Sequence, residues 1–176
     1  MACQLACPNR TEQSAARLLS TSFGRAALRA ALLCCVVMLM AATAALDARM
    51  RQDRLTLVTA SGEHAIEIEV AETAEEKSLG LMFRSSLADG KGMLFPYPAA
   101  QEITMWMRNT LIPLDMVFIR ADGTVHRIEA RTEPLSEAIV ASKGPVTGVL
   151  ELAGGAAERL GLKAGDKVRH GHFKGK

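Results

Sequence analysis

The chain has 176 residues, a length that predicts one globular domain together with a targeting segment. Its formal net charge is +2, but four of the 21 basic side chains and one of the 19 acidic ones precede residue 46, which leaves 17 basic and 18 acidic side chains, or −1, for the rest. A domain this close to neutrality lacks the basic surface that binds nucleic acid, so we expect no nucleic acid partner.

All cysteines lie near the N-terminus, at Cys3, Cys7, Cys34 and Cys35. Nothing after residue 35 can form a disulfide, a cysteine metal site or a thiol nucleophile. A cysteine-free domain of this kind indicates either a fold that is stable without crosslinks or residence in an oxidising compartment.

The N-terminal region has the pattern of an export signal. Arg17, Arg25 and Arg29 precede an uncharged, strongly apolar run, and the small residues 41–45 follow it. This pattern predicts a signal peptide over residues 1–44, with cleavage between Ala44 and Ala45, and a periplasmic or extracellular protein that meets the membrane only transiently. The alternative is an uncleaved signal anchor, because the uncharged run from residue 30 to residue 46 reaches the lower end of the membrane-spanning range.

After this signal, residues 45–53 are short and polar and are predicted to be a tether. A first strand is expected over residues 55–58. Residues 64–70 then alternate between apolar and polar side chains, which is typical of a half-buried strand. Thr73 and Glu76 have the spacing of a capping box, which predicts a short helix that begins at residue 74 and ends near residue 81.

Further short apolar runs follow, separated by turn residues. Pro96 and Pro98 are expected to close a strand over residues 93–95. A second short helix over residues 154–160 should end at Gly161 in a left-handed cap, and residues 171–176 are expected to be a flexible basic tail. The remaining strands are predicted over residues 103–107, 114–119, 124–130, 146–152 and 166–169. Residues 54–170 therefore predict a single mostly β domain, a β sandwich or partly open barrel with two short α-helices.

Four segments in this order resemble the domain-of-unknown-function 192 family of bacterial and archaeal proteins, many of them exported: Glu76–Arg84, Gly92–Phe95, Trp106–Asp115, and Val149–Leu152 with Gly154 and Gly161 behind it. The resemblance covers about residues 54–170. It implies a β sandwich with small helices, and it supplies no catalytic residues because the family has no established activity. Many relatives have lysine where this chain has Arg108. Arginine can still serve as a cation at this position, but it cannot act as a titrating amine.

The segment from Trp106 to Asp115 is the most unusual stretch of the sequence. Trp106 is the single tryptophan, and a polar loop follows it at a strand end, where functional side chains often lie. Asp115 lies within an apolar strand and needs a partner, for which Arg84 or Arg108 is expected. We therefore predict a polar binding pocket formed by Arg84, Trp106, Arg108, Asn109, Thr110 and Asp115. The alternative is a structural ion pair that joins two loops.

Glu151 lies between Leu150 and Leu152 and faces away from them. With Asp115 it could form a catalytic carboxylate pair, or it could simply lie on the solvent side. Met105 and Met107 could bind Cu(I), but no histidine or cysteine is near to complete a set of soft ligands, and methionines commonly fill irregular cores. We predict no metal and no cofactor.

Three classes of function remain open at this point. The first is an exported binding or accessory module for a small molecule, a glycan or an envelope protein. The second is an extracytoplasmic hydrolase or lyase on a saccharide-like or envelope substrate, which requires Asp115 and Glu151 to converge on one cleft. The third is a structural or assembly factor of the cell envelope.

Overall fold

Seven strands form one continuous sheet in the computed structural model, which describes residues 50–173. Two short helices lie between strands, α1 (Ala74–Leu79) after the second strand and α2 (Ala156–Arg159) after the sixth. The strands are β1 (Arg51–Thr59), β2 (Gly62–Val70), β3 (Lys91–Met105), β4 (Leu114–Ile119), β5 (Val125–Thr132), β6 (Val140–Ala153) and β7 (Lys167–Arg169). Their order in the sheet is β5-β4-β6-β3-β2-β1-β7.

The sheet curls into a half-barrel. All neighbouring strands are antiparallel except β2 and β3, which α1 connects in parallel. At one end the two edges meet, where Thr124 bridges Lys167 and the Val125 N–H donates to the Asp166 carbonyl at 2.8 Å. The predicted class, a mostly β domain with two short helices, is confirmed. Because all seven strands belong to one sheet, the fold is the partly open barrel, the second of the two predicted architectures.

Each face of the sheet carries its own apolar core. The inner core collects side chains from all seven strands, among them Leu55, Ile68 and Leu150. The outer core lies on β3, β4 and β6 and is covered by the turn after α1 and by the loop between β3 and β4. Strand β4 is buried on both faces, as is β6 from Val146 to Leu152. From Val149 to Leu152 the side chains of β6 alternate between the two cores, with Val149 in the outer core and Leu150 and Leu152 in the inner core.

The two helices begin and end for the predicted reasons. The Glu76 N–H donates to Thr73 Oγ1 at 3.1 Å, and the Thr73 N–H donates to Glu76 Oε2 at 2.9 Å, so the capping box is present. Gly161 has φ +67° beyond α2, and its N–H donates to the Glu158 carbonyl at 3.0 Å. This is the left-handed residue that ends the helix.

Strand β3 does not stop at its prolines, contrary to the prediction. It continues through Pro96 and Pro98 to Met105, with a bulge between Pro96 and Gln101. Strand β2 pairs only with Lys91–Leu94, so the prolines lie where β3 has no partner on that edge. A missing N–H is tolerated at such a position.

Both ends of the folded domain extend past the predicted boundaries. Strand β1 begins at Arg51, inside the predicted tether, because its first residues pair with β2. At the other end Phe173 is buried in the inner core, so residues 171–173 are not a free tail. A Cβ on Gly148 would lie 2.8 Å from Phe173 Cζ, which shows how closely the ring approaches the sheet.

The predicted signal peptide and residues 174–176 lie outside the described residues. Within residues 50–173, no helix is long and apolar enough to span a membrane.

Candidate functional site

Glu151 lies in the centre of the sheet, on β6, with its side chain in the outer core. It is opposite Met93 of β3 and Met116 of β4 in the two neighbouring ladders. Its flanking residues Leu150 and Leu152 face the inner core, as the sequence predicted. Only 4% of Glu151 is exposed, so the expectation of a solvent-side glutamate is wrong.

Burial leaves this carboxyl without a partner. Among residues 50–173, no hydrogen-bond donor or cation is bound to Glu151, and the residues across the ladders are methionines. Desolvation disfavours the charged form of the acid and raises the pKa of Glu151 to about 8. The group is therefore mostly protonated at neutral pH.

A cavity of about 220 Å³ lies over Glu151. Its walls come from α1 with the turn that follows, from β3, and from the loop after β3. Trp106 and Ile139 are exposed and form the mouth of the cavity. The lining side chains include Lys77, Ser78, Leu79, Met82, Phe95, Tyr97, Thr104, Met105, Thr110 and Glu151.

Tyr97 and Lys77 form one wall of this pocket. The Lys77 ammonium lies over the Tyr97 ring, with Nζ 4.8 Å from the ring centroid, which is a cation–π contact. Burial, and secondarily the charge of Glu151, raise the pKa of Tyr97. Tyr97 therefore keeps its phenol proton at neutral pH and offers both a donor and an acceptor to the pocket.

Gly80 lets the turn after α1 approach this wall closely. It has φ +48°, and its N–H donates to the Glu76 carbonyl at 2.8 Å. A Cβ at this position would lie 3.2 Å from Phe95 Cζ. Both the backbone conformation and the contact favour glycine, and together they place the turn against β3.

The loop after β3 holds Trp106 at the mouth of the pocket. The Arg108 guanidinium carbon lies 4.5 Å from the centroid of the Trp106 ring, and Arg108 Nε donates to Glu137 Oε1 at 3.1 Å. Met107 points into the outer core, and the Thr110 N–H donates to its carbonyl at 3.0 Å. The loop is therefore held at several points by contacts within the protein.

The structure brings some of the predicted site residues together and separates others. Trp106 and Thr110 line the pocket, and Arg108 contacts it through Trp106. Asn109 lies on the neighbouring surface, where its carbonyl accepts the Phe83 N–H at 2.9 Å. Arg84 binds both carboxylate oxygens of Glu69, at 2.5 and 2.7 Å, and so connects the turn after α1 to β2.

Asp115 is buried, as predicted, but the expected arginine partner is wrong. Its carboxylate accepts backbone N–H bonds from Arg131 at 2.8 Å, from Gly155 at 2.9 Å and from Ala157 at 2.8 Å. These donors belong to the end of β5 and the start of α2, so Asp115 fastens two elements to β4. Three amides satisfy the carboxylate without an arginine, and its role is structural.

Asp115 and Glu151 cannot form a catalytic pair. In the ladder between β4 and β6, Asp115 is opposite Leu152 and Glu151 is opposite Met116. Side chains opposite each other share a face, so the two carboxyl groups lie on opposite faces of the sheet. The enzyme hypothesis that requires both groups in one cleft is contradicted.

The sequence analysis also considered Met105 and Met107 as possible ligands of Cu(I). Met107 is fully buried in the outer core, where Thr132 Oγ1 lies 3.1 Å from its sulfur, and Met105 is partly buried beside it. Within the part of the chain that the structure describes, no three His, Cys, Asp or Glu side chains are grouped so that they could hold a metal ion.

Sequence reasoning missed Lys77 and Tyr97 altogether and undervalued Glu151. A signal for Glu151 was present in the sequence: it follows Val149 and Leu150 and precedes Leu152 in a strand with no other charge nearby. A continuous apolar run is typical of a strand buried on both faces, so a glutamate inside it is expected to be buried as well. Lys77 and Tyr97 meet across 20 positions of sequence, and no local pattern predicts that contact.

Residues 50–173 form a β half-barrel with a small pocket over a buried acid. The sequence profile of the DUF192 family, described as Uncharacterized ACR, matches residues 56–170, and the chain belongs to this family. Comparison with functionally curated proteins gave no match.

Two solved structures are similar to this chain. One is a candidate transcription regulator from Sinorhizobium meliloti 1021, with 42% identity and a TM-score of 0.66 over 68% of this chain and 94% of that one. The other is a protein of unknown function from Novosphingobium aromaticivorans DSM 12444, with 41% identity and a TM-score of 0.68 over 70% of this chain and 88% of that one. Both similarities span most of the described domain.

Proposed function

We propose that this protein is an exported binding module that holds a small ligand in the pocket over Glu151. The observation that carries the proposal is the buried, unpartnered carboxyl at the base of that pocket. The carboxyl oxygens are not fully enclosed, since among residues 50–173 Thr147 Oγ1 is the one enclosed side-chain polar atom without a partner, so a molecule in the pocket can reach them. Acids with a strongly raised pKa in a cleft are candidates for functional groups, and a ligand with a polar head group would supply the missing partner.

The size and walls of the pocket restrict the ligand. A volume of about 220 Å³ is smaller than the usual pocket of roughly 300–1,000 Å³ for a drug-sized molecule. The pocket therefore fits a small molecule or the end of a longer one. Leu79, Met82, Phe95 and Met105 favour an apolar body behind the polar head.

A thermal-shift screen with small neutral, cationic and anionic fragments tests this function. Ile139→Ala changes the mouth of the pocket, and Leu135→Ala is its control, because the two residues are similarly exposed, 61% and 58%, but only Ile139 lines the pocket. We expect at least one fragment class to raise the melting temperature of the wild type, by less in Ile139→Ala but equally in Leu135→Ala. The proposal fails if no fragment stabilises the protein or if both variants respond as the wild type does.

Export is the second part of the proposal, and it rests on the sequence. The basic residues before residue 30, the apolar run and the small residues 41–45 support a cleaved signal peptide. Cleavage after Ala44 would leave the folded domain whole because β1 begins at Arg51. Mass spectrometry of the protein from its native host should find Ala45 at or near the N-terminus. An intact N-terminus in the membrane fraction would indicate a signal anchor instead.

A role in DNA binding is not part of the proposal, although one similar structure is that of a candidate transcription regulator. Residues 46–176 carry 17 basic and 18 acidic side chains, a net charge of −1. Proteins that bind DNA neutralise phosphates with clustered lysine and arginine, which this charge balance does not favour.

A further inference from the structure

The chemistry of the pocket lining also restricts the polar head group of the ligand. Most polar side chains in the lining carry oxygen: Ser78, Tyr97, Thr104, Thr110 and Glu151. The two that bring nitrogen donors are Lys77, whose ammonium lies over Tyr97, and Trp106 at the mouth. Neither these two side chains nor the lining hydroxyls are hydrogen bonded to Glu151, so a donor on a ligand can reach the carboxyl directly.

We propose that the head group is a primary ammonium on a small apolar body, seated against the Glu151 carboxylate at the base of the pocket. This inference rests on the proposed function, because it names the ligand class of the same site. An ammonium offers three N–H donors and the opposite charge, and a charge-assisted hydrogen bond is about twice as strong as a neutral one.

The pocket wall already holds a group of this kind. Lys77 occupies one face of the Tyr97 ring, with its ammonium 4.8 Å from the ring centre, so a ligand cation has to be held by Glu151 itself. Polarisable thioethers of Met82 and Met105 also line the space. The cavity has room for about seven water molecules, since each occupies roughly 30 Å³ in the liquid. An amine with a body of four or five carbons would fit this space.

Binding involves a proton but changes no other covalent bond. An ammonium ion enters from solution, the neutral Glu151 carboxyl releases its proton to solvent, and the ion pair forms with N–H···O hydrogen bonds. The ionisable side chains that line the pocket beside Glu151 are Lys77 of α1 and Tyr97 of β3, and the facing residues of β3 and β4 are the uncharged Met93 and Met116. Arg108 lies on Trp106 and is bound to Glu137.

This balance fixes how the affinity depends on pH. Below the Glu151 pKa of about 8, each decrease of one pH unit lowers the fraction of ionised carboxyl about tenfold. The affinity for an ammonium falls in proportion. Above about pH 8 the affinity should be constant until the amine itself loses its proton near about pH 10. The pKa of Tyr97 is raised, so its phenol stays protonated through this window.

Isothermal titration calorimetry of the full protein with n-butylamine, 1-butanol and butyrate tests the inference, because the three probes share one carbon chain. We expect butylamine to bind most tightly, with a Kd that falls about tenfold from about pH 6 to about pH 7. Two buffers of different ionisation enthalpy should show release of nearly one proton at the lower pH. In Glu151→Gln the affinity for butylamine should fall at least tenfold and lose its pH dependence, whereas binding of 1-butanol should change little.

The outcomes separate this inference from the function on which it rests. If butanol or butyrate binds as tightly as butylamine, or if butylamine binds without proton release, the inference is wrong while the pocket remains a ligand site. The absence of butylamine binding also overturns it. If the fragment screen gives no ligand that depends on Ile139 either, both proposals fail. Should Glu151→Gln not fold, the pH dependence and proton release of the wild type still decide the question.

Discussion

Asp115 and Glu151 lie on the paired strands β4 and β6 but on opposite faces of the sheet. Both carboxyl groups are buried, yet their surroundings differ. Asp115 accepts three backbone N–H bonds, whereas Glu151 has no bonded partner among residues 50–173. The Asp115 carboxylate therefore stabilises the fold, whereas the Glu151 carboxyl lines the pocket.

Asp115→Asn should destabilise the domain strongly. The amide keeps one acceptor oxygen, but its NH₂ group would face backbone N–H donors, so at least one of the three hydrogen bonds is lost and a buried donor is left unsatisfied. We expect a loss of about 3 kcal/mol or more in the free energy of unfolding. Urea denaturation measures this loss.

Asp89→Asn is the control for this substitution, since Asp89 is exposed and contacts Arg159 only in a surface ion pair. Its effect should stay within about 1 kcal/mol. Equal stability losses for the two variants would show that Asp115 does not have the structural role that its hydrogen bonds indicate.

Glu151 should make the protein less stable as the pH rises. Its pKa is about 8 in the folded state and near 4.5 when the chain is unfolded, so between these values the folded state holds a proton that the unfolded state has released. The free energy of unfolding should fall with increasing pH by up to about 1.4 kcal/mol per pH unit in this window. Urea denaturation of the wild type at several pH values measures the slope.

Glu151→Gln isolates this contribution, because the glutamine cannot ionise. Its free energy of unfolding should be nearly flat over the window in which the wild type declines, and the variant should be the more stable protein above about pH 8. Parallel curves for the two proteins would mean that Glu151 titrates as an ordinary surface glutamate.

Gly80→Ala should damage the pocket wall, and Gly90→Ala provides a matched comparison. Both glycines have positive φ, +48° and +76°, so each alanine should cost about 1–3 kcal/mol in backbone strain. Only the Cβ at residue 80 meets Phe95; at residue 90 no atom lies within 4 Å. Gly80→Ala should lose more stability and weaken fragment binding, while Gly90→Ala should bind fragments as the wild type does. Equal behaviour in both tests would contradict the close contact with Phe95.

Phe173 should contribute to stability although it lies near the C-terminus. Phe173 is 7% exposed, whereas Phe83 is 66% exposed, so Phe173→Ala removes a core ring and Phe83→Ala removes a surface ring. We expect a loss of about 3 kcal/mol for the first and a change within about 0.5 kcal/mol for the second. Thermal or urea unfolding distinguishes them. A negligible effect of Phe173→Ala would favour the flexible tail that the sequence suggested.

The sequence predicted those parts of the fold that depend on neighbouring residues. The capping box of Thr73 and Glu76, the limits of β4 and the left-handed Gly161 all follow from local chemistry. The prolines of β3 misled the prediction because their tolerance depends on which strand lies alongside, and that is a property of the whole sheet. Burial of Phe173 was missed for the same reason, because its ring packs against Gly148, 25 positions earlier in the sequence.

The site was predictable only in part. Burial of Asp115 followed from its apolar strand, but its three backbone donors come from β5 and α2, and no sequence spacing indicates them. Thr110 was predicted in a loop at a strand end and Trp106 in the strand before it, whereas β3 ends at Met105, so both residues lie in the loop and line the cavity. The base of that pocket, Glu151, depends on the register between β6 and its two neighbours, which the sequence alone does not determine.

The most direct test of the account is the ionisation of Glu151 itself. Carbon-13 NMR of protein labelled at the glutamate carboxyl carbons follows each side chain through a pH titration, and Glu151→Gln assigns the resonance by its disappearance. We expect the Glu151 carboxyl to titrate at about pH 8, as burial without a partner requires. If its resonance instead titrates near the ordinary glutamate value of about 4.3, the carboxyl is solvated or paired, and the proposed site at the base of the pocket is contradicted.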